Sequence, residues 1–362
     1  MYHLKSILIS ICIAATQFAH ATTFGVGFSL AIDHGVASVH FRNGSTVNIA
    51  KVEGPEAYRI AMEVAVHIPS YAQINLTDAA SLSAPSCSYA RLVPQPEARL
   101  AVQSLRDRLP PWLGGKKPDA PDAAAQALER MLRVLKIATE SYLETDIRNA
   151  IVATPYDTSD AFRSSMRTAS SALDIETRLY GAAQISNWAF DIPHNCPGPF
   201  GPPDTPYEDD ELVLGMDFSK AAFTATLGLF APGCGVWEDV RVGQSAALGA
   251  KNLFAKERWH DMLVNAMRKV TALPVDHYPL ARDINHISRL VLIGESVEDK
   301  RFEGAVRQVF SEQYSAQATS KIMGNAQRQD PVYVTAIGGA VRNWFNSDDM
   351  AWNNLLEAEI SL

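Results

Sequence analysis

Apolar and polar residues alternate along two separate stretches of the chain. From residue 23 to about residue 52 the alternation predicts three antiparallel strands, and Asn43-Gly44 between two of them favours a tight hairpin turn. The same pattern returns over residues 211–242. Two copies of one strand pattern, half a chain apart, predict two similar lobes that face each other across a shared cleft.

Helical spacing of apolar residues separates and follows these strands. Asp122 is a predicted N-cap for a helix over residues 123–142, with Leu128, Met131, Leu132 and Leu135 on one face. Further helices are predicted at residues 55–66, 160–173, 181–190, 253–270, 297–310 and 332–345, and short buried strands at residues 151–155, 177–180 and 287–293. Alternating strands and helices after residue 150 are typical of a crossover unit, so the predicted fold class is α/β.

The first 21 residues have the features of a secretory leader. Lys5 supplies positive charge, residues 7–15 form an apolar run too short to span a bilayer, and Ala19-His20-Ala21 fits a small-x-small cleavage site. We therefore expect a signal peptide at residues 1–21 and a secreted, extracellular protein. The alternative interpretation of this segment is a buried first strand or helix. We expect no membrane helix, because no later run is long and apolar enough.

Proline and glycine mark the boundary between the two predicted lobes. Residues 196–210 are rich in both and then acidic, which is typical of a connecting loop. This places lobe I at residues 22–195, lobe II at residues 211–330, and a C-terminal helix and tail at residues 331–362. A chain of 362 residues, 47% of them hydrophobic, is long enough for two domains or one bilobed domain.

Net charge and cysteine content limit the partners and the covalent chemistry. A net charge of −8 without a basic stripe argues against a nucleic-acid surface. Secretion would leave Cys87, Cys196 and Cys234 in an oxidising compartment, where they allow one disulfide whose pair the sequence does not specify. Asn43 and Asn75 each begin a glycosylation sequon. At Asn43 the hairpin turn is the favoured interpretation, and at Asn75 the question is open.

Five segments in a fixed order carry a family pattern. They are Ile32-Asp33-His34-Gly35, residues 151–173, Met216-Asp217, residues 290–296, and Asp330-Pro331 with residues 336–341. They resemble, in turn, the first phosphate loop, first connecting segment, second phosphate loop, adenosine loop and second connecting helix of the actin-like ATPase superfamily. The likeness is nearest to the nucleotide-binding domain of the 70-kDa heat-shock chaperones.

The resemblance covers most of residues 22–345 and implies a fold. That fold is the two-lobed actin-like ATPase fold of the ribonuclease-H-like type, in which duplicated mixed β-sheets are flanked by helices. The span from Asp217 to Gly294 is much shorter than in the chaperones. We therefore expect a reduced lid subdomain in lobe II.

The resemblance also implies a site that binds ATP and Mg²⁺. Asp33 would position the attacking water and, together with Asp217, hold the metal ion through water. The nucleotide would lie against Gly35, Ser38, Asp217, Ser219, Lys220, Gly294, Ser296 and Gly338. Considered without the resemblance, Asp33 and Asp217 also fit turn caps, and Lys220 fits a solvated turn residue.

Departures from the family pattern affect the phosphate contacts. Val36 and Ala37 replace hydroxyl residues, and residues 218–221 replace a glycine run whose N–H groups would close on phosphate. Glu295 stands where a second glycine is expected. The sequence therefore predicts a degenerate member with weak or no ATP hydrolysis, which acts as a binding protein for an unidentified protein partner. The alternatives are a minimal working ATP-binding domain and a small-metabolite kinase on the same fold.

Overall fold

Two mixed β-sheets, each flanked by helices, make up the α/β structure of this chain. The computed structural model describes residues 24–66, 122–155, 159–190, 210–231, 236–253, 258–273, 275, 284, 286–326 and 329–360. Several predictions lie outside the described residues: the signal peptide, the disulfide among Cys87, Cys196 and Cys234, Asn75, and all but the last residue of the connecting loop.

The described part of the first sheet has five strands. They are β1 (Phe24–Leu30), β2 (His34–Phe41), β3 (Thr46–Glu53), β4 (Asn149–Thr154) and β5 (Glu176–Gly181). Their order across the sheet is β3-β2-β1-β4-β5. The pairs β1–β2 and β2–β3 are antiparallel, whereas β1–β4 and β4–β5 are parallel. The predicted run of three antiparallel strands is therefore confirmed.

The described part of the second sheet repeats this arrangement with four strands. They are β6 (Glu211–Phe218), β7 (Phe223–Ala231), β8 (Val236–Ser245) and β9 (Arg289–Ile293). Their order is β8-β7-β6-β9, with β6 antiparallel to β7 and parallel to β9. In both sheets an antiparallel meander of three strands is thus extended by a parallel strand on the other side of its first strand.

Helices cover these sheets and connect their parallel strands. In chain order they are α1 (Glu56–Val66), α2 (Ala123–Leu143), α3 (Asp160–Ser171), α4 (Ala182–Ser186), α5 (Trp259–Thr271), α6 (Lys300–Gln313), α7 (Ala316–Ala326) and α8 (Val334–Ile360). Short 3₁₀ turns follow α4 and β8. Within the described residues, no helix combines the length and the apolar content needed to cross a bilayer.

Helix α2 begins where the sequence predicts. The Asp122 side chain accepts a hydrogen bond from the Ala124 N–H at 3.0 Å, and the helix ends at Glu144 in the left-handed conformation. A side-chain oxygen on the first residue satisfies an N–H group that has no partner inside the helix. The apolar face that contains Leu128 and Leu132 is fully buried in the core of the first lobe.

We expect Asp122→Ala to lower the free energy of unfolding by about 1 kcal/mol, because it removes the cap of α2. It also removes the acceptor for the hydroxyl of Ser165 on α3. Urea denaturation measures the effect, with Asp122→Asn as the matched control because asparagine caps helices equally well. Equal stability of the alanine and asparagine variants would show that the cap contributes nothing.

Two helices differ from their predicted bounds, and a third was not predicted. α5 begins at Trp259 rather than at residue 253, and α8 runs to Ile360 rather than ending at residue 345. α7 was not predicted, because two of its four buried positions are Thr319 and Ala326, which contribute little to an apolar pattern. The remaining predicted helices and strands agree with the structure to within four residues at each described end.

Helix α8 packs backbone to backbone against the first sheet and against α4. A Cβ atom on Gly27 of β1 would lie 2.0 Å from the Ala336 carbonyl oxygen and 2.3 Å from the Ala340 nitrogen. A Cβ atom on Gly338 would lie 2.0 Å from the Ile185 carbonyl oxygen. The small residues of α8 therefore serve close contact between elements of the protein itself.

The turn between β6 and β7 joins the core of the other lobe. Ala221 and Ala222 are buried and pack in the same apolar cluster as Ile32, Tyr58 and Leu135. The two lobes are consequently in direct apolar contact at the place where the resemblance expects an open cleft.

Candidate functional site

Two tight turns with the same hydrogen bonding face each other between the lobes. In the first turn the Ala31 N–H donates to the His34 carbonyl oxygen at 2.9 Å, and in the second the Ser219 N–H donates to the Ala222 carbonyl oxygen at 3.0 Å. The paired residues that flank the turns are Leu30 with Gly35 and Phe218 with Phe223. The two hairpins are therefore structural equivalents.

Their register changes the predicted pairing of the two aspartates. Counting back from each turn, Asp217 is equivalent to Ser29, and Asp33 lies in the turn itself. The parallel neighbours agree, since Ser29 pairs with Ala153 and Asp217 pairs with Ile293 at the last position of each ladder. The repeat in the sequence is real, but its two carboxylates do not occupy matching positions.

The first turn is fixed from below by α1. The Tyr58 hydroxyl lies 2.7 Å from the Ala31 carbonyl oxygen and 3.3 Å from that of His34, and burial raises the pKa of this phenol. The Gly54 N–H donates to the Asp33 carbonyl oxygen at 2.7 Å. These contacts hold the Asp33 side chain at the boundary between the lobes.

The Asp33 carboxylate is stabilised by a buried histidine. Its Oδ1 lies 2.7 Å from Nδ1 of His34, whose side chain is only 3% exposed. Burial by itself would raise the pKa of Asp33. The hydrogen bond and charge of His34, together with Glu295 and Lys220, outweigh that effect and lower the pKa to about 2. Asp33 is therefore ionised in the folded protein at all ordinary pH values.

The pKa of the Asp217 carboxyl group is shifted in the opposite direction from that of Asp33. Burial raises its pKa to about 7; the charge of His34 opposes this change and the charge of Asp33 adds to it. The carboxyl groups of Asp33 and Asp217 are thus close enough to affect each other across the lobe boundary, as the duplicated hairpins predict. Near neutral pH a large fraction of Asp217 carries a proton.

Glu295 pairs with two lysines, one from each lobe. Its Oε1 lies 3.0 Å from Nζ of Lys220 in the second turn, and its Oε2 lies 3.5 Å from Nζ of Lys51 on β3. The hydrogen bond and charge of Glu295 raise the pKa of Lys220. Lys220, predicted as a phosphate contact, is in this structure the partner of a carboxylate.

The second turn is held by backbone contacts on its own lobe. The Ala250 N–H donates to the Ser219 carbonyl oxygen at 2.9 Å, and the Lys251 N–H donates to that of Lys220 at 3.0 Å. The Ser219 hydroxyl lies 3.2 Å from the Ala222 nitrogen and accepts its hydrogen bond. Ser219 therefore closes its own turn, with its side chain buried.

The remaining predicted site residues lie in three different surroundings. Gly35 faces Met131 and Leu135 of α2, and the Ser38 hydroxyl donates to Asn48 at 3.0 Å inside the first sheet. Gly294 adopts a φ of 100° beside Phe218 and Asp217, and the Ser296 N–H donates to the Phe218 carbonyl oxygen. Gly338 lies against α4. The structure brings together Asp33, Asp217, Lys220 and Gly294, whereas Gly35, Ser38 and Gly338 contact other residues.

Four residues of this site have no role in the sequence prediction of a nucleotide site. They are His34, Lys51, Tyr58 and Glu295. His34 and Glu295 each adjoin a predicted residue, and the carboxylate at position 295 already conflicts with a nucleotide there. Lys51 gives no signal, because it meets Glu295 only through contact between the lobes.

Described residues of both turns line one small cavity. The cavity measures about 10 Å³ and is lined by Ala31, Ile32, Pro155, Asp217, Ser219, Ala222, Thr224 and Gln244. Sites for small molecules and cofactors usually measure several hundred cubic ångströms. This cavity has room for about one water molecule.

The clustered ligand atoms among the described residues are a different set from the predicted magnesium pair, Asp33 and Asp217. Ligand atoms of Asp33, His34 and Glu295 lie within 4.8 Å of one another. Mg²⁺ prefers oxygen ligands in octahedral geometry, whereas this group includes an imidazole. Nδ1 of His34 is already bonded to Asp33, and two ammonium groups neutralise Glu295. The arrangement is that of an internal ion-pair network.

Comparison with known proteins adds no relative to these observations. No protein-family model matches the chain, and no curated protein matches it.

Proposed function

We propose that this chain is a secreted, non-hydrolysing relative of the actin-like ATPases that works as a binding protein. Three features support the actin-like assignment: two mixed sheets of the same topology, two equivalent hairpins at the lobe boundary, and a helix at residues 334–360 that reaches both sheets. Fold and activity are separate questions, and the site determines the activity.

One observation carries the loss of nucleotide binding. Among the described residues, Ala221 and Ala222 of the second turn pack in the core of lobe I, and the cavity that Ala222 lines with Asp217 measures about 10 Å³. A triphosphate would have to displace this apolar contact and separate the lobes. The free energy of nucleotide binding would be offset by the cost of exposing buried apolar surface.

The charges in the cleft also disfavour nucleotide binding. Lys220 is already paired with Glu295, and the ionised Asp33 and the side chain of Glu295 lie where phosphates would approach. Phosphoryl transfer depends mainly on positioning and on positive charge around the phosphate oxygens. A site with two carboxylates and a neutralised lysine offers neither.

Calorimetric titration of the chain from Thr22 with ATP and Mg²⁺ tests this proposal. We expect no binding heat at millimolar nucleotide, no ATP hydrolysis, and no thermal stabilisation. A ligand with micromolar affinity would stabilise the fold by about 4 kcal/mol at a thousandfold excess over its dissociation constant, so its absence is readily measured.

Asp33→Ala and Lys220→Ala serve as matched variants in the same titration. Micromolar binding that Asp33→Ala abolishes would overturn the proposal in favour of a minimal ATP-binding domain. Transfer of phosphate to a sugar would instead identify a small-metabolite kinase.

A further inference from the structure

The loop between β2 and β3 is an exposed hairpin tip. Arg42, Asn43, Gly44 and Ser45 are all exposed. The Phe41 N–H donates to the Ser45 carbonyl oxygen at 2.8 Å, and Gly44 has a φ of 83° with no atom within 4 Å of a Cβ position. The predicted Asn-Gly turn is therefore confirmed, and its tip projects into open space.

Within this turn the asparagine and the hydroxyl of its sequon are already in contact. Oδ1 of Asn43 accepts hydrogen bonds from the Ser45 N–H at 2.9 Å and from the Ser45 hydroxyl at 2.6 Å. Both donors use the amide oxygen, so the amide nitrogen of Asn43 makes no hydrogen bond within the described residues. The side chain therefore presents its nitrogen to solvent.

We propose that Asn43 is an N-glycosylation site that carries an oligosaccharide. In the transfer, the amide nitrogen of Asn43 forms a bond to the anomeric carbon of an oligosaccharide carried on a lipid pyrophosphate. The bond from that carbon to the pyrophosphate oxygen breaks, the lipid pyrophosphate leaves, and the amide nitrogen loses one proton to a base of the transferring enzyme. No oxidation or reduction occurs.

The fold accommodates the product without rearrangement. Because the four residues of the tip are exposed and a Cβ atom on Gly44 would meet no atom within 4 Å, a glycan on Asn43 can extend into solvent. The tip is remote from the Asp33 and Glu295 network at the other end of β2. Glycosylation and the hairpin turn are thus compatible at this position, since the turn bonds use the amide oxygen and the glycan uses the nitrogen.

The inference rests on one part of the proposed function, namely entry into a secretory pathway. The test therefore uses the full chain in a eukaryotic secretory host, and in a parallel arm replaces residues 1–21 with an established secretion signal. Failure of secretion in the first arm alone contradicts the localisation, and the second arm still tests Asn43. Nucleotide binding is measured separately, so its outcome does not affect this one.

Asn75→Gln removes the other sequon and isolates Asn43. We expect the secreted Asn75→Gln chain to lose the mass of one glycan after treatment with peptide N-glycosidase, with Asn43 converted to aspartate. Asn43→Gln and Ser45→Ala should abolish this modification, whereas Ser45→Thr should retain it because threonine keeps the hydroxyl. Secreted Asn75→Gln chain without a glycan, or a glycan that survives Ser45→Ala, would overturn the proposal.

Discussion

Gly27→Ala is expected to lower the free energy of unfolding by about 3 kcal/mol, at the upper end of the usual cost of overpacking. The new methyl group would lie 2.0 Å from one backbone atom of α8 and 2.3 Å from another. Flexible side chains can move away from such a contact, but two hydrogen-bonded backbones cannot. β1 and α8 would have to separate, and the buried residues around them would lose contact.

Urea denaturation of Gly27→Ala against Gly304→Ala separates this steric effect from the general effect of replacing glycine. Gly304 lies in α6 with no atom within 4 Å of its Cβ position. Alanine is a better helix former than glycine by about 1 kcal/mol, so Gly304→Ala should be neutral or stabilising. A Gly27→Ala protein as stable as the parent would show that α8 does not pack on β1 as described.

Asp217→Asn is expected to stabilise the protein at pH 8 and to leave it unchanged near pH 4. The folded pKa of Asp217, about 7, exceeds its ordinary value of 3.8. The favourable contribution of Asp217 to the free energy of unfolding is fully present below pH 3.8 and is lost as the pH rises towards 7. The difference between these two pKa values corresponds to about 4 kcal/mol in the free energy of unfolding. Because the residue is partly exposed, we expect Asp217→Asn to gain about 2 kcal/mol at pH 8.

Asp33 changes the stability of the protein with pH in the opposite direction, and in a lower pH range. Its folded pKa, about 2, is below the ordinary value of 3.8, so its contribution is present above pH 3.8 and is lost as the pH falls towards 2. The two aspartates together predict maximum stability near pH 4. Urea denaturation from pH 3 to pH 8 measures both limbs, and Asp217→Asn should remove only the alkaline one.

Asp146→Asn provides the control for this pH series. Asp146 is exposed, so its replacement should leave the pH profile of stability as it is in the parent chain. If Asp217→Asn and Asp146→Asn give the same profile, Asp217 is not the group that titrates in the fold.

Local patterns predicted the elements of this fold well. Alternation gave the strands of both meanders, and the cap at Asp122 with the spacing of Leu128 and Leu132 gave α2. Such features depend on residues that are neighbours along the chain. α7 escaped prediction because its buried face relies on Thr319 and Ala326, whose burial depends on packing against other elements.

The site could be predicted only in part, because its state depends on contacts between distant residues. Asp33 and Asp217 were identified as the carboxylates at the lobe boundary, but the register that aligns Asp217 with Ser29 is a property of strand pairing. The ion pair from Lys51 to Glu295 joins residues of different lobes. The packing of Ala221 against lobe I likewise cannot be predicted from a local pattern.

The contact between β1 and α8 has a consequence for biosynthesis. β1 leaves the ribosome long before α8, yet Gly25 and Gly27 of that strand are covered by backbone of α8. Until the helix arrives, the first sheet lacks one of its faces, and its apolar residues are open to water or to other chains. Contacts of such long sequence separation form slowly. The native packing of the first sheet therefore forms only after α8 has been synthesised.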